Sequence, residues 1–249
     1  MDLSPTQIAH YHEHGYVLLG SILDAAALAA MRDEEARFRA RPMANDQDRP
    51  GQRTLFRSQL CDYSVPVREL STRGAHLDAV RNLLGPDLLF MYNQFVTKLP
   101  DGDSGGSIFP WHQDLGYLAI EPATTVTIWT ALDDVDEENG CIWVHPGSQR
   151  RGLLPHQKRS QDSWFLDVAV EGDGVPARLK AGEAVLFSGL TLHRSLSNRS
   201  NRPRRAFFME YAEARAIEVH SGKSLVESPR SWLVSGQLPV SAASAAAQA

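Results

Sequence analysis

The fold class is decided by residues 125–144, TVTIWTALDDVDEENGCIWV. Two runs rich in Val, Ile, Thr and Trp, residues 125–132 and 141–144, flank an acidic segment that ends in Asn139-Gly140. β-Branched and aromatic residues favour strands, whereas Asp, Asn and Gly favour turns, so this stretch predicts two strands joined by a loop. Similar composition predicts strands at residues 88–99, 165–170, 184–187 and 205–212. Because no helical segments alternate with these strands, we predict a mainly β sandwich or barrel rather than a parallel α/β sheet.

The residues before position 88 predict helices, which we expect to pack outside the β core. Ser4-Pro5 combines an N-cap residue with a proline at the first helical position, and Gly15 predicts the end of this helix. Residues 16–19 predict a short strand, residues 25–40 a second helix, and residues 75–84 a third helix ended by Gly85-Pro86. Residues 41–65 are polar and rich in turn formers, and they predict a long loop with some strand. Long loops in compact domains are often functional.

Composition and charge limit the domain count and the classes of partner. A chain of 249 residues with 43% hydrophobic and 22% charged residues can bury a sizeable core, and no repeat or linker divides it. We therefore predict a single domain over residues 1–239, followed by an Ala/Ser-rich disordered tail at residues 240–249. The formal net charge of -5 argues against nucleic acid and anionic membrane surfaces as partners.

Targeting signals and cysteines predict a cytoplasmic protein. No apolar stretch approaches the ~20 residues that span a bilayer, and the first residues have neither a basic nor an apolar leader region. Cys61 and Cys141 are the two cysteines, and they form no CxxC pair. The sequence therefore predicts two reduced thiols rather than a disulfide framework or a thiolate zinc site.

Trp111-His112-Gln113-Asp114 is the strongest candidate for chemistry. On a strand, residues i and i+2 point to the same side, so His112 and Asp114 would converge on one point. A distant second histidine would complete a triad of two imidazoles and one carboxylate. This facial triad leaves three coordination positions open and suits non-haem Fe(II). The motif also follows a Gly-rich loop and Pro110, a setting typical of functional residues.

A second His-x-Asp motif shows that the pattern alone is weak evidence. His76-Leu77-Asp78 lies in a helical pattern, where residues i and i+2 do not face each other. We therefore interpret His76 and Asp78 as residues on the surface of a helix.

His193 is the best candidate for the third ligand. It follows the apolar run 184–187 and the turn Ser188-Gly189, and a strand–turn–strand arrangement would return it toward His112. The spacing alone leaves two alternatives, a metal ligand or a buried core histidine. Other histidines are interpreted as structural or lie in turns and loops, namely His10, His12, His14, His145, His156 and His220.

Several separated motifs occur along the chain in a characteristic order. They are Tyr11-x-x-x-Gly15-Tyr16-Val17, Asn93-Gln94-Phe95-x-x-Lys98, Trp111-His112-Gln113-Asp114, Thr127-x-Trp129-x-Ala131-Leu132-Asp133, Glu138-Asn139-Gly140-Cys141-x-x-Val144-x-Pro146-Gly147-Ser148, His193-x-Ser195 and Arg204. Together they resemble the phytanoyl-CoA dioxygenase family of Fe(II)/2-oxoglutarate-dependent oxygenases. The resemblance covers about residues 4–211.

The resemblance implies a fold and a role for each matching residue. The fold would be a double-stranded β-helix, also called a jelly roll or cupin-like fold. His112, Asp114 and His193 would bind Fe(II), and Arg204 would pair bidentately with the distal carboxylate of the cosubstrate 2-oxoglutarate. The remaining matches are assigned to the cosubstrate pocket: Ser195 as a hydroxyl donor, Gln94 and Trp129 as lining residues, and Lys98 as a contact to cosubstrate or substrate.

The hydrophobic pattern and the family resemblance select different arginines for the interior, Arg205 and Arg204 respectively. Strand alternation places the two on opposite faces, and Arg205 shares its face with the more apolar residues Phe207, Met209 and Tyr211. The pattern alone would therefore direct Arg205 inward. The family's spacing of eleven residues after the distal histidine selects Arg204, and we follow it because helices that cover the outer face would blur the pattern.

The implied activity is a hydroxylation of a small-molecule C–H bond with consumption of O2 and 2-oxoglutarate and release of succinate and CO2. One alternative is a metal-dependent hydrolase, since zinc also accepts His and carboxylate ligands. Another is a small-molecule-binding barrel that has lost turnover. Arg204 has no evident role in the first alternative, and the intact triad argues against the second.

The long loop at residues 41–65 is expected to border the active site. It contains Arg53, Arg57 and Gln59, and two arginines near a pocket would favour an anionic small-molecule substrate. The other interpretation is that both arginines are solvated loop residues. The sequence does not identify the substrate or the oligomeric state.

Overall fold

The structure of the protein is a computed structural model, and it describes residues 1–43, 46, 52–158, 166–228 and 231–238. The helices are α1 (Pro5–His14), α2 (Ala25–Ala40), α3 (Val65–Arg73) and α4 (Leu77–Leu84). The strands are β1 (Tyr16–Ser21), β2 (Thr54–Ser58), β3 (Leu88–Lys98), β4 (Phe109–His112), β5 (Ile120–Glu121), β6 (Val126–Ala131), β7 (Ile142–Val144), β8 (Gln157–Lys158), β9 (Leu166–Asp167), β10 (Val175–Ala177), β11 (Glu183–Ser188), β12 (His193–Ser195), β13 (Arg204–Glu213), β14 (Ile217–Glu218) and β15 (Trp232–Ser235). Most predicted strands are confirmed to within two residues, but the one predicted at 165–170 is described only as the short β9.

Two antiparallel sheets form the β core. The larger has the order β1-β11-β6-β13-β3-β15, with β2 also paired to β3, and the smaller has the order β10-β7-β12-β4. Side chains from both sheets meet in one buried apolar cluster, which joins Trp129, Val185 and Phe208 of the larger sheet to Ile142 and Val144 of the smaller. This arrangement confirms the mainly β, jelly-roll architecture.

Both faces of the larger sheet are buried, and this explains the pattern of β13. Phe207, Met209 and Tyr211 pack in the cluster that the sheet shares with the helices. Ala206 and Phe208 belong instead to the cluster between the two sheets. The more apolar face of β13 is therefore the one covered by helices. Because both faces of this sheet are buried, both carry apolar residues.

Arg204 and Arg205 follow the same alternation. Arg204 lies on the interior face of β13 and is 1% exposed. Arg205 lies on the opposite face, where its guanidinium forms a bidentate pair with Asp133 at 2.6 and 2.9 Å. The expectation from pattern alone, that Arg205 points inward, is wrong, and the spacing argument placed the correct arginine inside.

The first two helices begin and end as predicted. Ser4 and Gln7 form a reciprocal capping box at the start of α1. Gly15 ends α1 with φ +82, and a Cβ atom there would lie 2.5 Å from the side chains of Gln149 and Thr191. Gly15 is therefore required both by its backbone conformation and by close packing against these two side chains. Asp24 caps α2, which spans the predicted residues 25–40.

The sequence interpretation missed α3 and misplaced His76. Ser64 caps α3 as an N-cap residue, but the polar composition around it had been assigned to a loop. His76 is fully buried directly before α4, and its Nε2 lies 2.8 Å from the hydroxyl of Tyr211. The prediction of a surface position is wrong for His76, because β13 packs over the start of the helix. Asp78 is partly exposed and pairs with Arg81, as a surface residue does.

Other expectations concern the domain, the thiols and the ends of the chain. One apolar cluster extends from Leu3 in the N-terminal segment to Tyr211 in β13. The single domain over residues 1–239 stays a prediction. Cys61 and Cys141 are buried, unpaired thiols. Within the described ranges, none of the helices is long and apolar enough to cross a membrane. The predicted tail at residues 240–249 lies outside the described residues, so it stays a prediction.

We expect Leu19→Ala to lower the free energy of unfolding by about 2–5 kcal/mol, because it removes buried methyl groups and leaves a cavity. Leu18→Ala is the matched control, since Leu18 is the neighbouring residue in β1 and is 46% exposed, against 6% for Leu19. It should change stability by less than about 0.5 kcal/mol. Urea denaturation measures both, and equal losses would contradict the assigned faces of β1.

Candidate active site

The pairing of β4 with β12 brings the two candidate histidines together. His112 lies directly opposite His193 in this antiparallel pair, and the centroids of their rings are 4.0 Å apart. β4 ends at His112, and Asp114 begins a short 3-10 turn after the extended residue Gln113. Asp114 is therefore beyond the strand rather than on it as expected. It still converges with His112, because Gln113 keeps the strand conformation.

The three side chains form a compact set of ligand atoms. Oδ1 of Asp114 lies 3.4 Å from Nε2 of His193 and 3.8 Å from Nε2 of His112. One ligand atom from each residue lies within 4.8 Å of the others, and among the described residues no other His/Cys/Asp/Glu group of three does so. The structure thus brings the predicted triad together.

Hydrogen bonds orient each member of the triad. Nδ1 of His112 lies 2.8 Å from the carbonyl of Pro110, and Nδ1 of His193 lies 3.0 Å from the carbonyl of Thr191. Because a carbonyl can only accept, these contacts place the proton of each ring on Nδ1 and leave the Nε2 lone pair facing Asp114. Thr127 in β6 donates its hydroxyl proton to Oδ2 of Asp114 at 2.6 Å. Each ligand therefore presents one acceptor atom to a common point.

Gln113 anchors the turn that carries Asp114. Its amide side chain donates to the carbonyls of Gly152 and Leu190 and accepts from the backbone N–H of Leu154. Its own backbone N–H donates to Nε2 of His156 at 2.9 Å. His156 had been assigned to a polar loop, and no local signal in the sequence indicated this supporting role. A buried glutamine with all its groups satisfied gives the triad a rigid base.

The charge states of the site suit a metal ion. Burial, with the nearby His193, lowers the pKa of His112 to about 3, so its imidazole is neutral. Burial acts to raise the pKa of Asp114, but the histidines and the Thr127 hydroxyl outweigh it and keep the pKa below its usual value. A neutral imidazole and an ionised carboxylate are the donor types of the non-haem Fe(II) facial triad.

Arg204 is a buried cation that forms no ion pair with any of the described residues. One of its terminal nitrogens, Nη2, donates to the carbonyl of Gly140 at 2.8 Å. Nε and Nη1 are buried and have no hydrogen-bond partner among the described residues. The guanidinium also lies 5.1 Å from the ring centroid of Trp129. Burial lowers the pKa of Arg204 to about 10, which still leaves it charged at neutral pH. Unsatisfied buried donors are costly, so this geometry fits a carboxylate ligand.

Gly140 makes the approach of Arg204 feasible. It has φ +81, and a Cβ atom there would lie 2.6 Å from the carbonyl oxygen of Leu196. A larger residue would push this turn away from β12 and β13. The glycine of the Asn139-Gly140 motif is thus needed for both its conformation and its close contact.

The other predicted cosubstrate residues divide into two groups. Ser195, Gln94 and Trp129 line the same cavity as the triad and Arg204. Lys98 is buried, and its ammonium donates to the carbonyls of Ser195 and Leu196 instead of lining the cavity. Burial and the neighbouring Arg204 hold the pKa of Lys98 well below its usual value. Lys98 therefore supports the strand beside Arg204, and the structure does not bring it to the cavity wall.

A cavity of about 1010 Å³ opens from the triad between the two sheets. The predicted loop contributes to its wall through Gln59, which has φ +58. The two arginines of the loop do not line it. Arg57 is buried and pairs with Asp46 at 3.4 Å, and Arg53 donates to the carbonyl of Pro100 at 2.6 Å. The loop borders the site as expected, but its arginines are engaged in the protein's own structure.

Glu210 is a cavity residue that the sequence interpretation missed. It lies on the interior face of β13, opposite Thr127 of β6. Burial and the negative charge of Asp114 raise the pKa of the Glu210 carboxyl to about 8, while the Thr125 hydroxyl acts in the opposite direction. The signal that could have indicated it was a single acidic residue within the otherwise apolar run 206–212.

Comparison with known proteins agrees with this geometry. A family model described as phytanoyl-CoA dioxygenase (PhyH) matches residues 11–206. The peroxisomal phytanoyl-CoA dioxygenase of Bos taurus is 26% identical over 236 residues, which cover 85% of this chain and 69% of the relative. The methylphosphonate hydroxylase of Gimesia maris is 27% identical over 218 residues, which cover 84% and 80%.

Solved structures show the same fold. The non-heme α-ketoglutarate-dependent carbocyclase SnoK from nogalamycin biosynthesis matches with a TM-score of 0.76 at 23% identity, covering 94% of this chain and 97% of its own. The epimerase SnoN, in complex with Fe3+, α-ketoglutarate and nogalamycin RO, matches with a TM-score of 0.73 at 22% identity and covers 96% of each chain. Since the family model spans most of the sequence and the fold is shared, the chain belongs to the phytanoyl-CoA dioxygenase family.

Proposed function

We propose that the protein is an Fe(II)/2-oxoglutarate-dependent dioxygenase that hydroxylates a C–H bond of a small molecule and releases succinate and CO2. The observation that carries this proposal is the presence, in one cavity, of a His–Asp–His triad and a buried arginine with two unsatisfied nitrogens. The triad suits Fe(II), and the arginine suits the distal carboxylate of 2-oxoglutarate. Family membership supports the same activity.

The triad would hold the metal through Nε2 of His112, Nε2 of His193 and a carboxylate oxygen of Asp114. Bound Fe(II), together with 2-oxoglutarate and O2, supplies the oxidative chemistry. The protein contributes ligand orientation through Pro110 and Thr191. Thr127 holds the second oxygen of Asp114, which favours binding through the first.

Arg204 would bind and orient the cosubstrate from the interior of the larger sheet. Nε and Nη1 of its guanidinium are donors without a partner among the described residues, and they suit a carboxylate. Because the guanidinium is buried, water is excluded, and the ion pair with the cosubstrate carboxylate would be stronger. Ser195, Gln94 and Trp129 line the same part of the cavity and are assigned to the cosubstrate pocket.

The two alternative functions each leave an observation unexplained. A metal-dependent hydrolase uses the triad but gives no role to the unsatisfied guanidinium of Arg204. A binding barrel without turnover has no need for three oriented metal ligands. A cytoplasmic location is kept as a prediction, since the bovine relative bears a peroxisomal name.

The proposal is tested by adding Fe(II) and 2-oxoglutarate to the purified protein without oxygen and recording the visible charge-transfer band of the chelate. We expect a band in the wild type and none in Asp114→Ala, because the variant loses the carboxylate ligand. Absence of the band in metal-loaded wild-type protein would reject the oxygenase and favour the hydrolase or the binding barrel.

We expect Arg204→Ala to raise the apparent KM for 2-oxoglutarate at least about 30-fold, since removal of one partner of a buried charge pair costs about 2 kcal/mol or more. Arg205→Ala is the matched control and should change this KM by less than about twofold, because its partner Asp133 is a partly exposed carboxylate. Succinate release measures both. Arg204→Lys keeps the charge without the planar fork. It should recover part of the affinity for 2-oxoglutarate, which would show that the fold survives substitution at this position. A rise in Arg205→Ala alone would contradict the assignment.

Thr127→Val should weaken Fe(II) binding about 10- to 100-fold, because the hydroxyl that orients Asp114 is lost. Thr130→Val is the control on the opposite face of β6, where the buried Thr130 hydroxyl has no partner among the described residues. Anaerobic titration calorimetry measures both affinities. Unchanged binding in Thr127→Val would show that the hydrogen bond does not position the ligand.

A further inference from the structure

The interior face of β13 runs through the active site from one end to the other. Arg204, Phe208 and Glu210 alternate along this face and all line the cavity. Arg204 is at the cosubstrate end. Glu210 lies six residues farther along, which is about 20 Å of extended chain. Register places it opposite Thr127, the residue that holds Asp114. Glu210 is therefore beside the metal triad and far from the cosubstrate arginine.

Among the described residues, no cation pairs with the carboxylate of Glu210. Its charged neighbour is Asp114, which repels it, and its polar neighbour is Thr125. Glu213, three residues farther along the same strand, differs from Glu210 because it accepts hydrogen bonds from both Thr124 and Arg215. Among the described residues, Glu210 has no ion pair. A half-buried carboxylate in this position is unfavourable unless a ligand compensates it.

Among the described residues, the arginines that line the cavity, Arg194 and Arg204, form no ion pair with Glu210. Arg194 pairs with Asp173 at 3.1 Å and stacks on Trp111. Lys98 and Arg204 face each other in register at the far end of β3 and β13. Fe(II) and Arg204 together balance the charges of 2-oxoglutarate and Asp114. Fe(II) would also cancel the repulsion by Asp114, and a cation beside Glu210 would offset its burial. Both causes of the raised pKa of Glu210 would then weaken, so the carboxyl ionises when a cationic ligand binds.

The walls around Glu210 are aromatic. The ring of Phe208 lies 6.0 Å from that of Tyr92, which is opposite Glu210 in β3. Tyr117 and Leu118 also line the cavity and are 41% and 38% exposed, so they form an apolar rim. Aromatic faces attract cations, and an apolar rim accepts the carbon skeleton of a ligand.

We propose that Glu210 is a specificity-determining residue that binds a protonated amine of the substrate, so that the site selects small ammonium compounds over carboxylates. The inference rests on the proposed function, since it names the substrate class of that site. It replaces the anionic substrate that Arg53 and Arg57 had suggested, because both arginines are bound to other groups of the protein.

The test uses three probes with one carbon skeleton, namely benzylammonium, benzyl alcohol and benzoate. Calorimetry measures their affinities for the protein loaded with Fe(II) and 2-oxoglutarate without oxygen. In the wild type we expect benzylammonium to bind at least about tenfold more tightly than either other probe, because a desolvated ion pair contributes affinity and like charge repels. In Glu210→Gln the three affinities should fall within about threefold of one another.

Glu213→Gln is the matched control and should keep the preference of the wild type, since Glu213 does not line the cavity. Equal or tighter binding of benzoate or benzyl alcohol in the wild type would overturn the inference, as would a preference that survives in Glu210→Gln or no measurable binding of benzylammonium.

The charge-transfer band separates the two proposals. A normal band without amine preference rejects the role of Glu210 alone, whereas a missing band rejects the oxygenase.

Discussion

The antiparallel pairing of β4 with β12 is the constraint on which the active site depends. It places His112 directly opposite His193, although 80 residues separate them in the chain. Directly opposed residues of an antiparallel pair have close Cβ atoms, so both imidazoles reach one point without strain. A shift of register by one residue would direct one histidine to the other face. The anchoring of Gln113 and the bond from Thr127 then add Asp114 to a pair that the sheet has already fixed.

A second constraint is that the larger sheet is buried on both faces. One face packs against the helices and completes the core, which leaves the other face free to carry polar groups toward the smaller sheet. Arg204, Gln94 and Glu210 are all on this interior face. Burying these polar groups costs free energy, and the apolar cluster on the opposite face of the sheet offsets this cost. The same division explains why the more apolar residues of β13 do not mark the active-site face.

The charges along β13 give the cavity a direction. One end has the unsatisfied guanidinium of Arg204, and the other has the carboxyl group of Glu210 beside the triad. A dianionic cosubstrate and a cationic substrate would therefore be attracted to opposite ends of the cavity and meet at the metal, with little tendency to exchange places. The exposed Tyr117 and Leu118 lie at the substrate side of this arrangement.

The sequence by itself determined the strand pattern and the first two helices, because alternation and capping residues are local signals. The triad followed from the ordered motifs that resemble a known family, since spacing alone left His193 open. The sequence did not place His76, His156 or Glu210, whose surroundings come from segments distant in the chain. It also left open whether Arg53 and Arg57 line the pocket. Arg53 and Arg57 resemble pocket residues in the sequence, and only the folded chain shows them bound to Pro100 and Asp46. Tertiary structure decided these points because a charged residue's role depends on which partners the fold brings to it.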